Sequence, residues 1–224
     1  MHCKREILMN NLDVLLDIAM CVLWMVTYTL VLIGTIKYQY PLISPMAQTV
    51  IAPFEFSAFV LAILMGIYGF NYAILGYLYW TIIEIAIFIA IIRTGFIPKN
   101  KIACYIILTA VITGVMIYLV AIKHRILVFS YINSFVGDAI WLIFILKNGC
   151  LRKPITLAVY IVKIVADCLA GIVYFGKGSW LVDVLSVLLP LLDSLFVVVY
   201  FIKGTDNMTA HQQKRKEPRY ETTI

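Results

Sequence analysis

The chain has 224 residues, 63% hydrophobic and 13% charged, with a formal net charge of +6 and a mean hydropathy of +0.97. Soluble domains carry about 25% charged residues, so this composition excludes an ordinary water-soluble globule and implies an integral membrane protein built as one domain. The basic residues lie in short loops and the tail, the distribution that orients a membrane protein, and this excludes nucleic acid as a partner.

A membrane span needs about 20 apolar residues, and seven stretches qualify. The first, 15–36, is too long for a signal-peptide core, lacks a small-residue cleavage site and runs into Lys37-Tyr38-Gln39-Tyr40-Pro41, so it reads as a retained span. The second, 50–68, places Pro53 in a first helical turn, where proline is tolerated, and Glu55 near the positive end of the helix dipole. A short Gly69-Phe70-Asn71 turn joins it to the third span, 72–92, as a helical hairpin. The fourth and fifth, 102–122 and 126–146, are separated by Lys123-His124-Arg125. The sixth, 154–175, follows a basic turn, and the seventh, 180–202, follows Gly176-Lys177-Gly178-Ser179. In the seventh, Pro190 stands three residues before Asp193, frees a backbone carbonyl and can kink the helix. The polar tail containing Gln212-Gln213-Lys214-Arg215-Lys216 reads as disordered. No internal repeat stands out. The expected fold is all-α: a polytopic bundle of seven transmembrane helices over residues 1–203 with a cytoplasmic tail, 204–224.

Of the 18 Lys and Arg residues, twelve fall on one side of these spans, five on the other, and Lys163 lies within a span. The positive-inside rule then places the N-terminus outside and the C-terminus in the cytoplasm. Five cysteines show no paired spacing and read as small apolar fillers or free thiols. The three histidines fall in loops or tails without an HExxH or His-Cys cluster, which argues against a zinc site of the usual kind.

Six charged residues interrupt the spans: Glu55, Glu84, Asp138, Lys163, Asp167 and Asp193. A carboxylate at mid-bilayer costs roughly 2.5–3.5 kcal/mol even on insertion scales, so each needs a partner or a task. At 1.5 Å per residue, Glu55 lies roughly 8 Å from the cytoplasmic surface and Glu84, Asp138, Lys163 and Asp193 roughly 12–14 Å, with Asp167 nearer the midplane. Lys163 and Asp167 are spaced to neutralise each other on one helix face. No second in-span cation remains for Glu55 and Asp193. An unpaired carboxyl in low dielectric keeps its proton and can act as a general acid. Phe54, Phe56, Phe59, Trp80, Tyr131, Phe135, Trp141 and Phe196 lie near these acids, and aromatic faces stabilise cations.

The Pro53-Phe54-Glu55-Phe56 stretch resembles the polar-aromatic motif that opens the second span of the small integral-membrane terpene cyclases of fungal meroterpenoid and indole-diterpene biosynthesis. Trp80-Thr81-Ile82-Ile83-Glu84 is similar to that family's W-x-x-x-D pattern, with Glu in place of Asp. Lys163, the fifth span with Trp141 and its basic turn, and Leu192-Asp193-Ser194-Leu195-Phe196 match further features in order. Phe54 stands where Trp is usual, and Ile51 where Asn is usual. The resemblance implies a proton-initiated, metal-independent cyclisation of a lipophilic polyprenyl or epoxy-polyprenyl substrate, with no cofactor. It implies that Glu55 and Asp193 are the catalytic acids. Phe54, Trp80, Glu84, Asp138, Trp141, Lys163 and Phe196 would line the substrate. A lipid substrate and a water-quenched cation both suit a site inside a membrane. The rival expectation is a proton- or cation-coupled transporter of small molecules, because buried acids in a seven-span bundle serve that class too.

Overall fold

A computed structural model describes residues 11–65, 72–123, 126–177 and 179–206. The 69–71 turn, the three histidines, Cys3 and the tail beyond 206 lie outside the described residues. Seven helices account for nearly all of the described chain: α1 (Asn11–Tyr38), α2 (Pro45–Met65), α3 (Tyr72–Arg93), α4 (Lys99–Lys123), α5 (Ile126–Asn148), α6 (Pro154–Tyr174) and α7 (Trp180–Lys203). Six of them are long and apolar enough to cross a membrane, and the described apolar part of α2, Pro45–Leu61, is shorter. Large apolar side chains such as Leu15, Ile107, Ile172 and Phe201 are exposed on the outer faces, as expected of helices whose solvent is lipid.

One boundary differs from expectation with consequences for the site. The second helix begins at Pro45, five residues before the apolar run. Ser44 starts it: its hydroxyl accepts from the Ala47 N–H at 3.3 Å and its carbonyl from the Gln48 N–H at 2.9 Å, while Pro45 supplies the preset φ of a first turn. Pro53 is therefore inside the helix, not in its first turn, and Glu55 lies three turns in, beyond the reach of the terminal dipole.

The helices alternate in direction, and contacts identify the two ends. At one end, the Trp141 indole donates to the Leu42 carbonyl at 2.9 Å, Phe96 packs on both Tyr40 and Phe144, and Lys203 donates to the Leu146 carbonyl at 2.9 Å. Two short parallel strands, β1 (Cys150–Leu151) and β2 (Gly204–Thr205), also pair there. This end carries Lys37, Arg93, Lys147 and Lys203 in the last turns of their helices and is called the basic end below. At the opposite end, Tyr174 donates to Asp17 at 2.7 Å.

Helix packing closes a ring. Going round it, α1 packs on α6, α6 on α7, α7 on α5, α5 on α2, α2 on α3, and α3 on α1; α4 stands outside, against α2. The ring contains a repeat that the sequence did not reveal. In each half the third helix lies between the other two: α3 between α1 and α2, α7 between α6 and α5. The buried positions coincide as well. Ala47, Ile51, Phe54, Ser57, Ala58 and Leu61 of α2 match Thr156, Tyr160, Lys163, Ala166, Asp167 and Ala170 of α6, each 109 residues later. Glu84, Ile87, Ala90 and Ile91 of α3 match Asp193, Phe196, Val199 and Tyr200 of α7 at the same spacing. Thr27, Tyr28, Val31 and Thr35 of α1 match Gly137, Asp138, Trp141 and Ile145 of α5 at a spacing of 110. Both first helices are followed directly by a positive-φ residue, Gln39 and Gly149. With α4 as the odd, connecting helix, the two three-helix units run in the same direction, related by an approximate two-fold axis along the bundle.

Candidate functional site

Counting from the basic end brings the charged residues onto one level. Glu55 is ten residues from the start of α2 and Lys163 nine from the start of α6. Glu84 is nine residues, and Asp138 and Asp193 ten, from the ends of their helices. At 1.5 Å per residue this is about 14–15 Å for all five, so Glu55 is deeper than its apolar run suggested. Tyr28, ten residues from the end of α1, completes the level. Each helix of the ring thus brings a charged side chain or, from α1, Tyr28 to this level, whereas the charged residues of α4 lie only at its ends.

The second half is charge-paired. The Lys163 ammonium donates to Asp138 at 2.8 Å, to Asp167 at 2.9 Å and to both oxygens of Asp193 at 2.7 Å. All four residues are buried. The expected Lys163–Asp167 pair is present, but the expectation that Asp193 lacks a cation is overturned: α7 packs directly on α6, and that packing brings Asp193 onto the lysine. The three aspartates offer oxygens within 4.8 Å of one another, a set that could hold a metal ion; the ammonium sits among them instead. It also lies 5.0 Å from the centre of the Trp24 ring, and Trp24 stacks on Tyr28 at 5.6 Å.

The first half is built differently. The Gln48 amide donates to the Glu84 carboxylate and to the Glu84 backbone carbonyl. The Tyr28 hydroxyl interacts with the same carboxyl, and Glu55 lies close by. Tyr28 lies on α1, which packs on both α3 and α6, and it stacks on Trp24, whose ring the Lys163 ammonium approaches, so it stands between the two halves. Among the described residues, Glu55 Oε2, Glu84 Oε1, Gln48 Oε1 and Trp80 Nε1 are buried without a hydrogen-bond partner. Buried polar groups are almost always satisfied, which marks this half as incomplete without a ligand or shared protons.

Other expected lining residues take distinct places. Phe54 is fully buried on α2. Trp80 lies one turn from Glu84 and packs edge-on against Tyr77 at 5.6 Å. Trp141 and Phe196 pack on each other at 4.8 Å and on Tyr160 at 5.8 and 5.3 Å. Each is one turn from Asp138, Asp193 or Lys163 on the side of the basic end, so the three rings floor the charged level. On the other side, Met20, Tyr131, Ala170, Val182, Leu185 and Leu189 form a separate apolar cluster. The Lys163 half of the level is therefore held between two apolar layers. Trp24, Tyr28 and Gln48 escaped sequence reasoning. Tyrosines and tryptophans are common in spans, and only the coincidence of depth, ten residues from a basic helix end, distinguishes Tyr28.

The chain matches no protein-family model, no characterised protein and no solved structure.

Proposed function

We propose that the protein is a multi-pass membrane terpene cyclase that starts carbocation cyclisation of a polyprenyl or epoxy-polyprenyl lipid by proton transfer from Glu55. The observation that carries this reading is the contrast between the two acids on the common level. Asp193 is bound by the Lys163 ammonium, whereas Glu55 keeps a buried oxygen without a partner among the described residues. Both Asp193 oxygens accept from that ammonium, the arrangement of a carboxylate, the form that accepts a proton. Glu55 therefore gives its proton to the epoxide oxygen or alkene carbon. The π electrons of the chain close the rings, and the proton lost from the terminal cation passes to Asp193 of the Lys163 group. The apolar layers on both sides of the Lys163 group suit chemistry that water would quench. The charge distribution supports an outside N-terminus and a cytoplasmic C-terminus, with the site in the cytoplasmic half of the bilayer.

The test is expression in membranes supplied with polyprenyl and epoxy-polyprenyl substrates, beside Glu55→Gln and Asp193→Asn. Cyclised product is expected from the wild type and from neither variant. Undiminished product from Glu55→Gln would overturn the assignment. A second reading, proton- or cation-coupled transport, is favoured by the parallel repeat of three helices, an architecture that transporters use. Proton-dependent solute uptake into vesicles, with no cyclised product, would put that reading first.

A further inference from the structure

The approximate two-fold axis sets the two halves of the polar level against each other position by position. Asp138, Lys163 and Asp193 correspond to Tyr28, Phe54 and Glu84. In the second half, the acid of the third helix has a resident cation, at 2.7 Å. In the first half, the corresponding acid remains, but Phe54 stands where the lysine would be and Tyr28 where its other acid partner would be. Glu55 adds a second carboxyl beside Glu84. We infer that Tyr28, Phe54 and Glu84 form a cation seat, and that its ligand is the cationic centre of a lipophilic molecule.

Two features besides the acids point to a ligand. Gln48 is wholly buried, and its amide is turned onto the Glu84 carboxylate; yet its own Oε1 and the Glu84 Oε1 have no partner among the described residues. The amide oxygen is an acceptor only, and so is the Glu84 oxygen when the carboxyl is ionised; in that state what is missing carries positive charge or donates protons. The replacement of lysine by phenylalanine and of aspartate by tyrosine exchanges charge for aromatic faces, which attract a cation without requiring its hydration shell. Trp80, one turn from Glu84, extends that lining. A small hydrated ion would have to shed its water to reach these buried residues. A cation embedded in a hydrocarbon chain brings no such shell.

This deepens the cyclase reading and rests on it, since there the ligand is the substrate's own developing carbocation. A stable probe is N,N-dimethylfarnesylamine, protonated at neutral pH, against its uncharged counterpart farnesyl methyl ether. Binding to the full chain in nanodiscs is followed by tryptophan fluorescence and by the shift in melting temperature. The amine is expected to bind saturably and at least tenfold more tightly than the ether. Glu84→Gln should remove that preference, and Phe54→Leu, which removes no hydrogen bond, should weaken the amine several-fold while leaving the ether unchanged. Equal binding of amine and ether, or an unaltered amine affinity in both variants, would overturn the seat. An equal melting shift from sodium or ammonium ions would overturn the lipophilic ligand class. The assay needs no turnover: wild-type protein that binds the amine but makes no cyclised product keeps the seat and loses the cyclase. Protein that cyclises but ignores the amine loses the seat alone.

Discussion

One ammonium against three carboxylates makes Lys163 the most consequential single residue. Removing one partner of a buried ion pair leaves charge that the interior cannot solvate, at about 3–5 kcal/mol. Lys163→Met is therefore expected to lower the melting temperature in detergent sharply, and adding Asp193→Asn in that background should recover part of the loss. If Lys163→Met melts like the wild type, the four-residue group is not intact in the protein. At the basic end, burial pushes the Cys150 thiol from its usual 9.0 up to about 11, with Arg152 pulling the other way. The folded state thus favours the neutral thiol. Its contribution to stability is complete below about pH 9 and is lost as pH rises through about 11. Alkylation of Cys150 should accelerate only as pH approaches that value, and Cys150→Ser should remove the alkaline step from the melting curve. At this scale the sequence was half legible. The intramembrane charges and the Lys163–Asp167 spacing show in the chain, because both are local. The bonds from Lys163 to Asp138 and Asp193 do not, because they depend on which helices are neighbours.

Helix contacts decide that neighbourhood, and glycines hold two of the seams between the halves. A Cβ on Gly137 of α5 would lie 2.4 Å from Ile51 Cγ1 of α2, and one on Gly34 of α1 would lie 2.2 Å from Leu42 Cδ1 and 3.5 Å from Ile155 Cγ2 of α6. Gly137 adjoins Asp138, so the α2–α5 seam also sets the reach of that aspartate to Lys163. Overpacking of this kind costs typically about 1–3 kcal/mol. Gly137→Ala should destabilise by that order in a detergent melt, and Ile51→Ala combined with it should restore part of the loss, since the clashing atoms are removed. Strictly additive losses would show that the seam does not close there. Six of the seven helices lie within a few residues of the apolar runs. The exception is the start of α2, where Gln48 and Thr49 hide the first turn from hydropathy while Ser44-Pro45 announces it. Gln48 then proves to be the partner of Glu84, so the polar residue that obscured the boundary belongs to the site.

The whole molecule reads as two parallel units joined by a helix that takes no part in the ring. The repeat was not legible in the chain because matched positions share burial and depth but rarely identity: Val31 and Trp141, Ile51 and Tyr160, Ile87 and Phe196 fill corresponding places with different volumes. What survives is placement, as with Lys37 and Lys147 or Pro45 and Pro154. This architecture gives α4 a purely topological task. It ends one unit at the basic end and begins the next at the opposite end, a distance of about 37 Å for 25 residues at 1.5 Å each. It packs mainly on α2, where the Ser57 hydroxyl reaches the Thr113 carbonyl at 3.3 Å, and Ile106, Ile107, Val111, Val115 and Tyr118 are exposed. Replacing any one of those five by leucine should change stability by no more than about 0.5 kcal/mol, as for substitutions remote from any packed feature, and leave any cyclised product undiminished. Deleting 99–123 should do the opposite. With α4 gone, α5–α7 would have to insert upside down, Lys163 and Asp193 would stand against the wrong end of α1–α3, and the common level would be lost. A melting transition and an accessibility pattern unchanged by that deletion would show that the two units are not parallel, and with that the correspondence of Glu84 to Asp193 would fall.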